Sequence, residues 1–237
     1  MLDLDAAVNI AYNSKTKENI CTIIKHNIPC GGAIRKKQKE SYIKALEGDP
    51  LSAFGGIVAF NKTVEKETAN LLSDIFLECV VAPSFTKEAL EILGNKKNLR
   101  LLEVNKEVIN PNYRGSCKSI MGGLLIQDFD NKITDHKDWE IVTETKPSDL
   151  QLEDLKFSWQ ICKHVKSNAI VIAKNEMTIG IGAGQMNRVG SAKIALESAG
   201  INCKDAVLAS DGFFPFSDTV VLAHEYGIKA IIQPGGS

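Results

Sequence analysis

The stretch TIGIGAGQMNRVGSAKIA, Thr178 to Ala195, decides the fold class because its residue pattern changes midway. It begins with the branched residues of a strand, continues through a glycine-rich turn and ends with the spacing of a helix. This order is the building unit of an α/β sheet. Such a turn aims backbone N–H groups at an anion, with Arg188 as a partner. The Gly180-x-Gly182-x-Gly184 spacing differs from the dinucleotide fingerprint, so a Rossmann site is not predicted.

The same alternation of buried-type strands and amphipathic helices extends along most of the chain. It predicts an α/β protein with helices packed on a sheet. The predicted strands are Cys21–Lys25, Gly56–Phe60, Cys79–Ala82, Leu99–Glu103, Ala169–Ala173, Thr178–Ile181, Ala206–Ala209 and Ala230–Ile232. The predicted helices are Leu4–Tyr12, Gln38–Leu46, Lys66–Ser73, Ser148–His164, Gln185–Ala199 and Asp218–Tyr226.

The segment from Asn105 to Asp138 breaks this alternation. Gly, Asn, Asp and Lys dominate it, and only GGLLIQ has the pattern of a strand. Such a segment is predicted to join two α/β halves. We therefore expect a first half over residues 1–110, a connecting segment with a strand or hairpin over 111–147, and a second half over 148–237.

Composition and charge exclude several classes of protein. The 237 residues are 44% hydrophobic and 24% charged, which is ordinary for a globular protein. A net charge of −1 gives no reason to expect nucleic acid or an anionic membrane as a partner. There is no long apolar run or signal peptide, so a cytoplasmic protein is predicted. The six cysteines form no Cys-x-x-Cys pair, which argues against a disulfide scaffold or a zinc knuckle.

The sequence IIKHNIPCGGAI, Ile23 to Ile34, places Lys25 and His26 where an apolar run stops and a Pro-Cys-Gly-Gly turn is predicted. Two interpretations stay open. In one, Lys25 is a solvated strand end and His26 packs in the turn. In the other, His26 is a general base, because imidazole titrates near neutral pH, and Lys25 stabilises developing negative charge. The C-terminal end of a strand is where such sites lie in α/β sheets.

Three other stretches have both a structural and a functional interpretation. In GDPLSAFGGIVAF, the glycines at 55 and 56 permit either a tight turn or close approach of a ligand, with Phe54 as a stacking face. Asn168, just before a buried strand, either satisfies the turn or holds a substrate carbonyl. The ASDGFFPFSD stretch groups Phe213, Phe214 and Phe216 around Pro215, which makes either core or a slot for a flat heterocycle.

Together these stretches resemble one family over nearly the whole chain. The matching segments, in order, are KHNIPCG, DPLSAFGGIVAFN, GGLLIQDFD, KHVKSNAIVIAKNEMTIGIGAGQMNRVGSAKIA, SDGFFPFSD and IQPGGS. The chain is similar to the transformylase domain of the AICAR transformylase/IMP cyclohydrolase family. That resemblance implies transfer of a formyl group from 10-formyltetrahydrofolate to the 5-amino group of aminoimidazole carboxamide ribonucleotide (AICAR), giving FAICAR in IMP synthesis.

The resemblance also implies roles for particular residues. The family motif Lys-His-x-Asn-Pro-Cys-Gly falls on Lys25 and His26, which implies that His26 acts as a base toward the amine and that Lys25 assists charge development. Asn168 would help to fix the reacting groups. The other implied binding residues are Phe54 and Gly55 near the heterocycle, Glu78 and Arg188 at the nucleotide, and Phe213 with Pro215 at the base and folate.

The chain departs from the family pattern in several places. Ile28 stands where the motif has Asn, Gly212 where the family has Ala, and Ser217 where it has Arg. The cyclohydrolase domain, an Arg-Tyr-Gly-Glu-Asn-Pro segment and an Arg-His-Phe-x-His tail are not in this sequence, and KAIIQPGGS stops after a strand and a turn. We therefore expect a chain truncated at both ends, with a partial phosphate site and weak or no activity alone.

The fold that the resemblance implies consists of two cytidine-deaminase-like α/β/α halves, with active sites formed across a homodimer interface. No zinc is predicted, because His26-Asn27-Ile28 lacks the Glu of a zinc deaminase and Pro29-Cys30 is not followed by a second Cys at the required spacing. A monovalent cation, as bound by some relatives, is left open. The alternative function is a catalytically dead fragment that only binds nucleotides or folates, or only dimerises.

Overall fold

The computed structural model of the chain describes residues 1–14, 16–105, 115–128, 130 and 136–236. A five-stranded sheet organises the first part. Its elements are α1 (Leu2–Asn13), β1 (Asn19–Lys25), β2 (Ile28–Arg35), α2 (Gln38–Gly48), β3 (Ile57–Phe60), α3 (Lys66–Ser73), β4 (Cys79–Ala82), α4 (Lys87–Gly94) and β5 (Arg100–Glu103). The strand order is β2-β1-β3-β4-β5. Strand β1 is antiparallel to β2 and β3, whereas β3, β4 and β5 are parallel.

A two-stranded ribbon and a four-stranded sheet follow. The ribbon consists of β6 (Gly115–Ile120) and β7 (Gly123–Asp128), which pair in antiparallel fashion. The second sheet and its helices are α5 (Asp149–Cys162), β8 (Ile170–Ala173), β9 (Thr178–Gly182), α6 (Arg188–Ala199), β10 (Val207–Ser210), α7 (Asp218–Glu225) and β11 (Ala230–Ile232). The strand order is β11-β10-β8-β9. Here β8 is antiparallel to β9 and β10, and β10 and β11 are parallel.

The two halves therefore share one topology. Each consists of a helix, an antiparallel hairpin whose first strand also pairs with the third, and further helices and parallel strands. A glycine occupies the same place in each hairpin: a Cβ atom on Gly31 would collide with the carbonyl oxygen of Ala45, and one on Gly180 with that of Ala195. Only glycine allows α2 and α6 to pack so closely on these strands.

The core lies in three clusters, and the middle one joins the halves. It contains Ile10 of α1, Ile24 of β1, Ile161 of α5 and Val171 of β8, all fully buried. The outer clusters lie between the first sheet and α2, α3 and α4, and between the second sheet and α6 and α7. Side chains of β1 and β8 alternate between the middle and an outer cluster, as expected for strands buried on both faces. The order of layers is thus helix, sheet, helix, sheet, helix.

The structure confirms the predicted α/β class and corrects two local expectations. No turn forms at Pro-Cys-Gly-Gly, because these residues lie within β2 and the chain reverses earlier, at His26 and Asn27. Helix α4 was not predicted. The division at residue 110 falls in 106–114, outside the described residues, and the predicted domain limits stay predictions. In the part of the chain that is described, no helix is long and apolar enough to cross a membrane.

Candidate functional site

The Lys25–His26 pair lies at the tip of the first hairpin. Lys25 is the last residue of β1 and pairs with Ile28, so His26 and Asn27 form a two-residue turn. Their φ angles are 51° and 64°, the left-handed pair of a type I′ turn, whose twist matches that of the flanking strands. The turn leaves the His26 side chain exposed and Lys25 half-buried. The general-base interpretation requires such an accessible imidazole.

Lys25 is brought together with Phe54 and Gly55, two of the residues for which the resemblance implied a role in binding. Its Nζ atom donates a hydrogen bond of 2.7 Å to the carbonyl oxygen of Phe54. Gly55 has φ of 68°, a conformation that favours glycine, and a Cβ atom there would lie 3.0 Å from Lys25 Nζ. The Phe54 ring, 62% exposed, lies 5.3 Å from the ring of Phe76. This first group offers an aromatic face beside an ammonium group.

Glu78 lies near this first group, at the start of β4. Its backbone N–H donates to the carbonyl oxygen of Gly56, and its exposed carboxylate accepts a hydrogen bond of 2.7 Å from Arg100. An exposed ion pair of this kind contributes little to stability and opens easily. Binding of a nucleotide by Glu78 stays a prediction.

A second group surrounds Asn168 in the other half. The Asn168 side chain donates to the carbonyl oxygen of Gln185 at 2.7 Å, and the Asn168 carbonyl accepts from Ser191 at 2.9 Å. These bonds satisfy the turn before β8, which is the structural interpretation. The N–H of Gly184, in the glycine-rich turn, donates to the carbonyl oxygen of Lys166 at 2.8 Å rather than pointing freely at an anion. Helix α6 begins only at Arg188, with Asn187 as its N-cap.

Arg188 forms an ion pair that the sequence did not indicate. Its guanidinium contacts the Asp211 carboxylate and donates to Ser210 Oγ at 3.0 Å, and its side chain is only 16% exposed. Partial burial raises the pKa of Asp211, but hydrogen bonds from Ser167, the Ala169 N–H and Arg188 outweigh burial and lower it below its usual range. Arg188 is therefore already neutralised, and its predicted contact with a phosphate stays a prediction.

In the FFPF loop, one aromatic ring fits the core interpretation and the others fit the exposed-slot interpretation. Phe214 packs against the outer cluster of the second half, and its N–H donates to Gln233 Oε1 at 2.6 Å. Phe213 and Phe216 are 41% and 72% exposed, and Pro215 is exposed as well. One ring is thus core, whereas two remain open to solvent in the loop that follows Asp211. Contact of Phe213 and Pro215 with a base or folate stays a prediction.

Metal-ligating chemistry is not indicated by the described side chains. Within residues 1–14, 16–105, 115–128, 130 and 136–236, no three His, Cys, Asp or Glu residues are grouped to hold a metal ion. The Cys30 thiol donates to the Ile23 carbonyl oxygen, and burial followed by the charge of Asp49 raises its pKa to about 12. A thiol with so high a pKa is a poor zinc ligand. The expectation of no zinc itself stays a prediction.

Comparison with known proteins places this geometry in a family. A sequence model described as AICARFT/IMPCHase bienzyme matches residues 1–198. The chain belongs to the AICARFT/IMPCHase bienzyme family. The matched region includes the Lys25–His26 turn, Phe54 and Gly55 as well as Asn168 and Arg188, whereas Asp211, Phe213 and Pro215 lie beyond it.

Relatives of this family match the whole chain. The bifunctional purine biosynthesis protein PurH of Prochlorococcus marinus strain AS9601 is 58% identical over 245 residues, covering 100% of this chain and 47% of the relative. That of strain NATL2A is 52% identical with the same coverage. The chain thus spans about half the length of these relatives. Among solved structures, RibD of Acinetobacter baumannii matches 45% of this chain and 34% of its own, with 16% identity and a TM-score of 0.34.

Proposed function

We propose that this chain carries the transformylase part of purine biosynthesis, the transfer of a formyl group from 10-formyltetrahydrofolate to the 5-amino group of AICAR. The observation that carries the proposal is the Lys25–His26 turn beside Phe54 and Gly55 in a member of the AICARFT/IMPCHase family. The role named for the relatives, purine biosynthesis, supports the same assignment.

The proposed chemistry follows from the first group. The amine nitrogen of AICAR attacks the formyl carbon, and His26 accepts the amine proton as general base. Lys25 stabilises the negative charge that develops on the formyl oxygen. An ammonium group has three N–H donors, so the bond to Phe54 positions Lys25 without using all of them. The bond from the formyl carbon to folate N10 then breaks, the proton passes to N10, and tetrahydrofolate leaves.

The second group is proposed to act through a homodimer. Lys25 and Phe54 lie on the first half, whereas Asn168, Arg188 and Phe213 lie on the second. A composite site would bring the first group of one copy to the second group of its partner. The exposed rings of Phe54 and Phe213 support this, because apolar rings are costly to leave in water and are typical of interface and binding surfaces.

The proposed fold is a pair of cytidine-deaminase-like halves without the deaminase zinc. The shared topology of the two halves supports the pairing. 10-Formyltetrahydrofolate is a co-substrate in this proposal. Whether a monovalent cation is bound stays open. Metal analysis of the purified chain tests the zinc prediction, and one tightly held zinc per chain would contradict it.

His26 provides the direct test of this function. The assay follows tetrahydrofolate formation from 10-formyltetrahydrofolate and AICAR, in this chain and in an extended chain to which the parts of the Prochlorococcus marinus relative outside the matched region are added. In the extended chain, His26→Ala should lower turnover about 10²- to 10⁴-fold, because general-base catalysis contributes that much, with nucleotide affinity changed by only a few-fold. His224→Ala, which removes an exposed histidine of α7, is the control. Near-normal turnover in His26→Ala would remove His26 from the mechanism.

In a second candidate function, the chain binds nucleotide or folate, or dimerises, but does not catalyse formyl transfer. The neutralised Arg188 favours it, because a phosphate needs charge-assisted donors and this one is already paired. The two candidates separate in the assay above: a binder shifts its melting temperature with AICAR but forms no tetrahydrofolate. We expect weak or no turnover by this chain alone and restored turnover in the extended chain. Equal activity of both chains would contradict the expected partial site.

A further inference from the structure

One carboxylate that lies outside the first hairpin accepts hydrogen bonds from both residues of its turn. Asp3, in the first turn of α1, accepts the N–H of His26 on Oδ2 at 3.0 Å and the N–H of Asn27 on Oδ1 at 3.1 Å. Both oxygens are used, and both bonds are charge-assisted, which is the stronger class of hydrogen bond. The carboxylate therefore binds the turn as a bidentate clamp.

The conformation of this turn requires such support. His26 and Asn27 both have positive φ, a region that L residues other than glycine adopt reluctantly and that Asn tolerates better than His. Two successive N–H groups in this conformation point to the same side and form a concave donor site for an anion. Asp3 supplies that anion from a separate helix. The direction of the His26 side chain thus depends on α1 as well as on the turn itself.

The second half contains the same arrangement with a different role. Asp154 of α5 accepts the N–H groups of Asn175 and Glu176 at 2.9 and 2.6 Å, and both residues have positive φ. That hairpin tip contacts the first half, since Arg35 donates to the Asn175 carbonyl at 2.8 Å and the Ile34 N–H donates to the Glu176 carbonyl at 3.0 Å. There the clamp supports the contact between halves.

The first hairpin tip is the more exposed of the two. His26 and Asn27 are both exposed and Asp3 is half-buried, whereas at the second tip Asn175 is exposed, Glu176 is half-buried and Asp154 is buried. The turn held by Asp3 carries the Lys-His pair, and Lys25 is fixed separately by its bond to the Phe54 carbonyl. The two bonds at the tip and the bond from Lys25 together define where the ammonium and the imidazole lie.

We propose that Asp3 is a positioning residue for formyl transfer, which holds the His26 backbone so that the imidazole faces the substrate amine. The catalytic part of this proposal rests on the proposed function. Asp3 contacts neither substrate nor co-substrate in this role, and it acts only through the turn. The competing explanation is a purely structural contact that attaches α1 to the sheet.

Amide exchange tests whether the clamp sets the turn. Asp3→Asn keeps the size of the side chain but replaces one acceptor by a donor, and Asp3→Ala removes both acceptors. Asp5→Asn is the matched control, because it removes the same charge from the same helix and its carboxylate accepts from Asn9 instead. By NMR of the 237-residue chain, the His26 and Asn27 amides should exchange about tenfold faster or more in both Asp3 variants, with shifted His26 ring resonances. Unchanged exchange and ring resonances would overturn the proposal.

Kinetics of the extended chain separate positioning from simple attachment. The Asp3 variants should lower kcat by about tenfold to a hundredfold with KM for AICAR within about threefold, because misplacing a catalytic group affects the transition state more than binding. Asp5→Asn should leave both near wild type. Faster amide exchange without any fall in kcat would overturn the positioning role. An extended wild-type chain without formyl transfer would instead refute the proposed function and with it the catalytic part, while the exchange result still decides whether Asp3 sets the turn.

Discussion

At the scale of single residues, Lys25 and Gly55 are held by main-chain acceptors, whereas the turn is held by a side chain. Lys25 donates to the Phe54 carbonyl and the Gly55 N–H donates to the Phe76 carbonyl at 2.8 Å, but the N–H groups of the turn donate to the Asp3 carboxylate. Main-chain acceptors stay in place when a neighbouring side chain is replaced. Substitution of Lys25 or His26 should therefore change the chemistry of the site without unfolding the half that carries it, whereas substitution of Asp3 should loosen the turn.

Tyr42 gives a residue-scale prediction about stability. The side chain is 1% exposed, and its hydroxyl has no hydrogen-bond partner among the described residues. Removing an unpaired buried hydroxyl removes a desolvation cost, so Tyr42→Phe should raise the free energy of unfolding by about 1 kcal/mol or more in urea titrations. Tyr12→Phe is the opposite control: its hydroxyl donates to the Val104 carbonyl at 2.9 Å, and its loss should cost about 1 kcal/mol. A destabilised Tyr42→Phe would show that this hydroxyl has a partner.

At the scale of elements, the two hairpins pack against their neighbouring helices in the same way. In each, a helix precedes the hairpin and clamps its turn through an aspartate, and the following helix lies against a glycine of the second strand. The close approach of helix and strand explains why β2 and β9 are rich in glycine although glycine weakens strands in general. The packing requires only that the strand residue facing the helix has no Cβ atom.

Gly180→Ala tests that requirement. The new Cβ would meet the Ala195 carbonyl oxygen and lie 3.0 Å from the Ala199 Cβ, so α6 would have to move away from β9. We expect a loss of about 2 kcal/mol or more in the free energy of unfolding, as for overpacked cores. Gly94→Ala, at the end of α4 with nothing within 4 Å, should change stability by less than about 0.5 kcal/mol. Similar effects of both substitutions would argue against the close packing.

At the scale of the whole molecule, one core joins both halves, whereas the ribbon of β6 and β7 lies outside it. The middle cluster contains residues of both sheets and of α1 and α5. In the ribbon, Ile120, Leu124, Leu125 and Ile126 are all at least half exposed, and they lie on both faces. Two-stranded ribbons are marginal in water unless an apolar face is covered. The molecule is therefore internally packed but carries an uncovered apolar element.

His164, half-buried after α5, predicts how the stability of the whole chain depends on pH. Burial, and secondly the charge of Lys163, lowers the pKa of His164 to about 4 from an ordinary value of 6.5. Between pH 6.5 and 4 the unfolded chain therefore binds more protons, so stability falls as the pH falls through this window. Between pH 6.5 and 4, the free energy of unfolding measured in urea titrations should fall by roughly 2 kcal/mol less in His164→Gln than in wild type. This figure allows for the partial exposure of the side chain. Parallel pH profiles would contradict the lowered pKa.

The ribbon predicts how the proposed homodimer forms. Exposed apolar patches of this kind mark interaction surfaces, and we expect a second copy to cover it. Ile126→Lys, on the ribbon, should lower the dimer fraction measured by light scattering at least about tenfold, because it places a charge in the interface. Ile141→Lys makes the same change at a residue that is 50% exposed outside the ribbon and should leave the dimer intact. A monomeric wild-type chain, or a dimer insensitive to Ile126→Lys, would contradict this.

Several features followed from the sequence because they depend on neighbouring residues. The run Cys79–Ala82 is a strand buried on both faces as its composition indicates, and α5 begins after the N-cap Ser148, where the predicted helix opens. The family resemblance named Lys25, His26, Phe54 and Gly55 as site residues, and the structure brings Lys25 next to Phe54 and Gly55. Helix α4 was missed, although Thr86 caps it and it is as long as α3 and α7, which were predicted.

Other features were decided only by the tertiary structure, since they join residues far apart in the chain. Pro-Cys-Gly-Gly has the composition of a turn but forms part of β2, because α2 needs the missing Cβ at Gly31 and the chain has already reversed at His26. The Arg188–Asp211 pair and the clamp from Asp3 each span more than twenty residues, so no local pattern encodes them. The sequence alone determined the alternation of strands and helices, through local propensity and burial. The contacts that pair Arg188 with Asp211 and attach the His26 turn to Asp3 each form only once a helix or turn has packed against the sheet of its own half, because they join residues far apart in the chain.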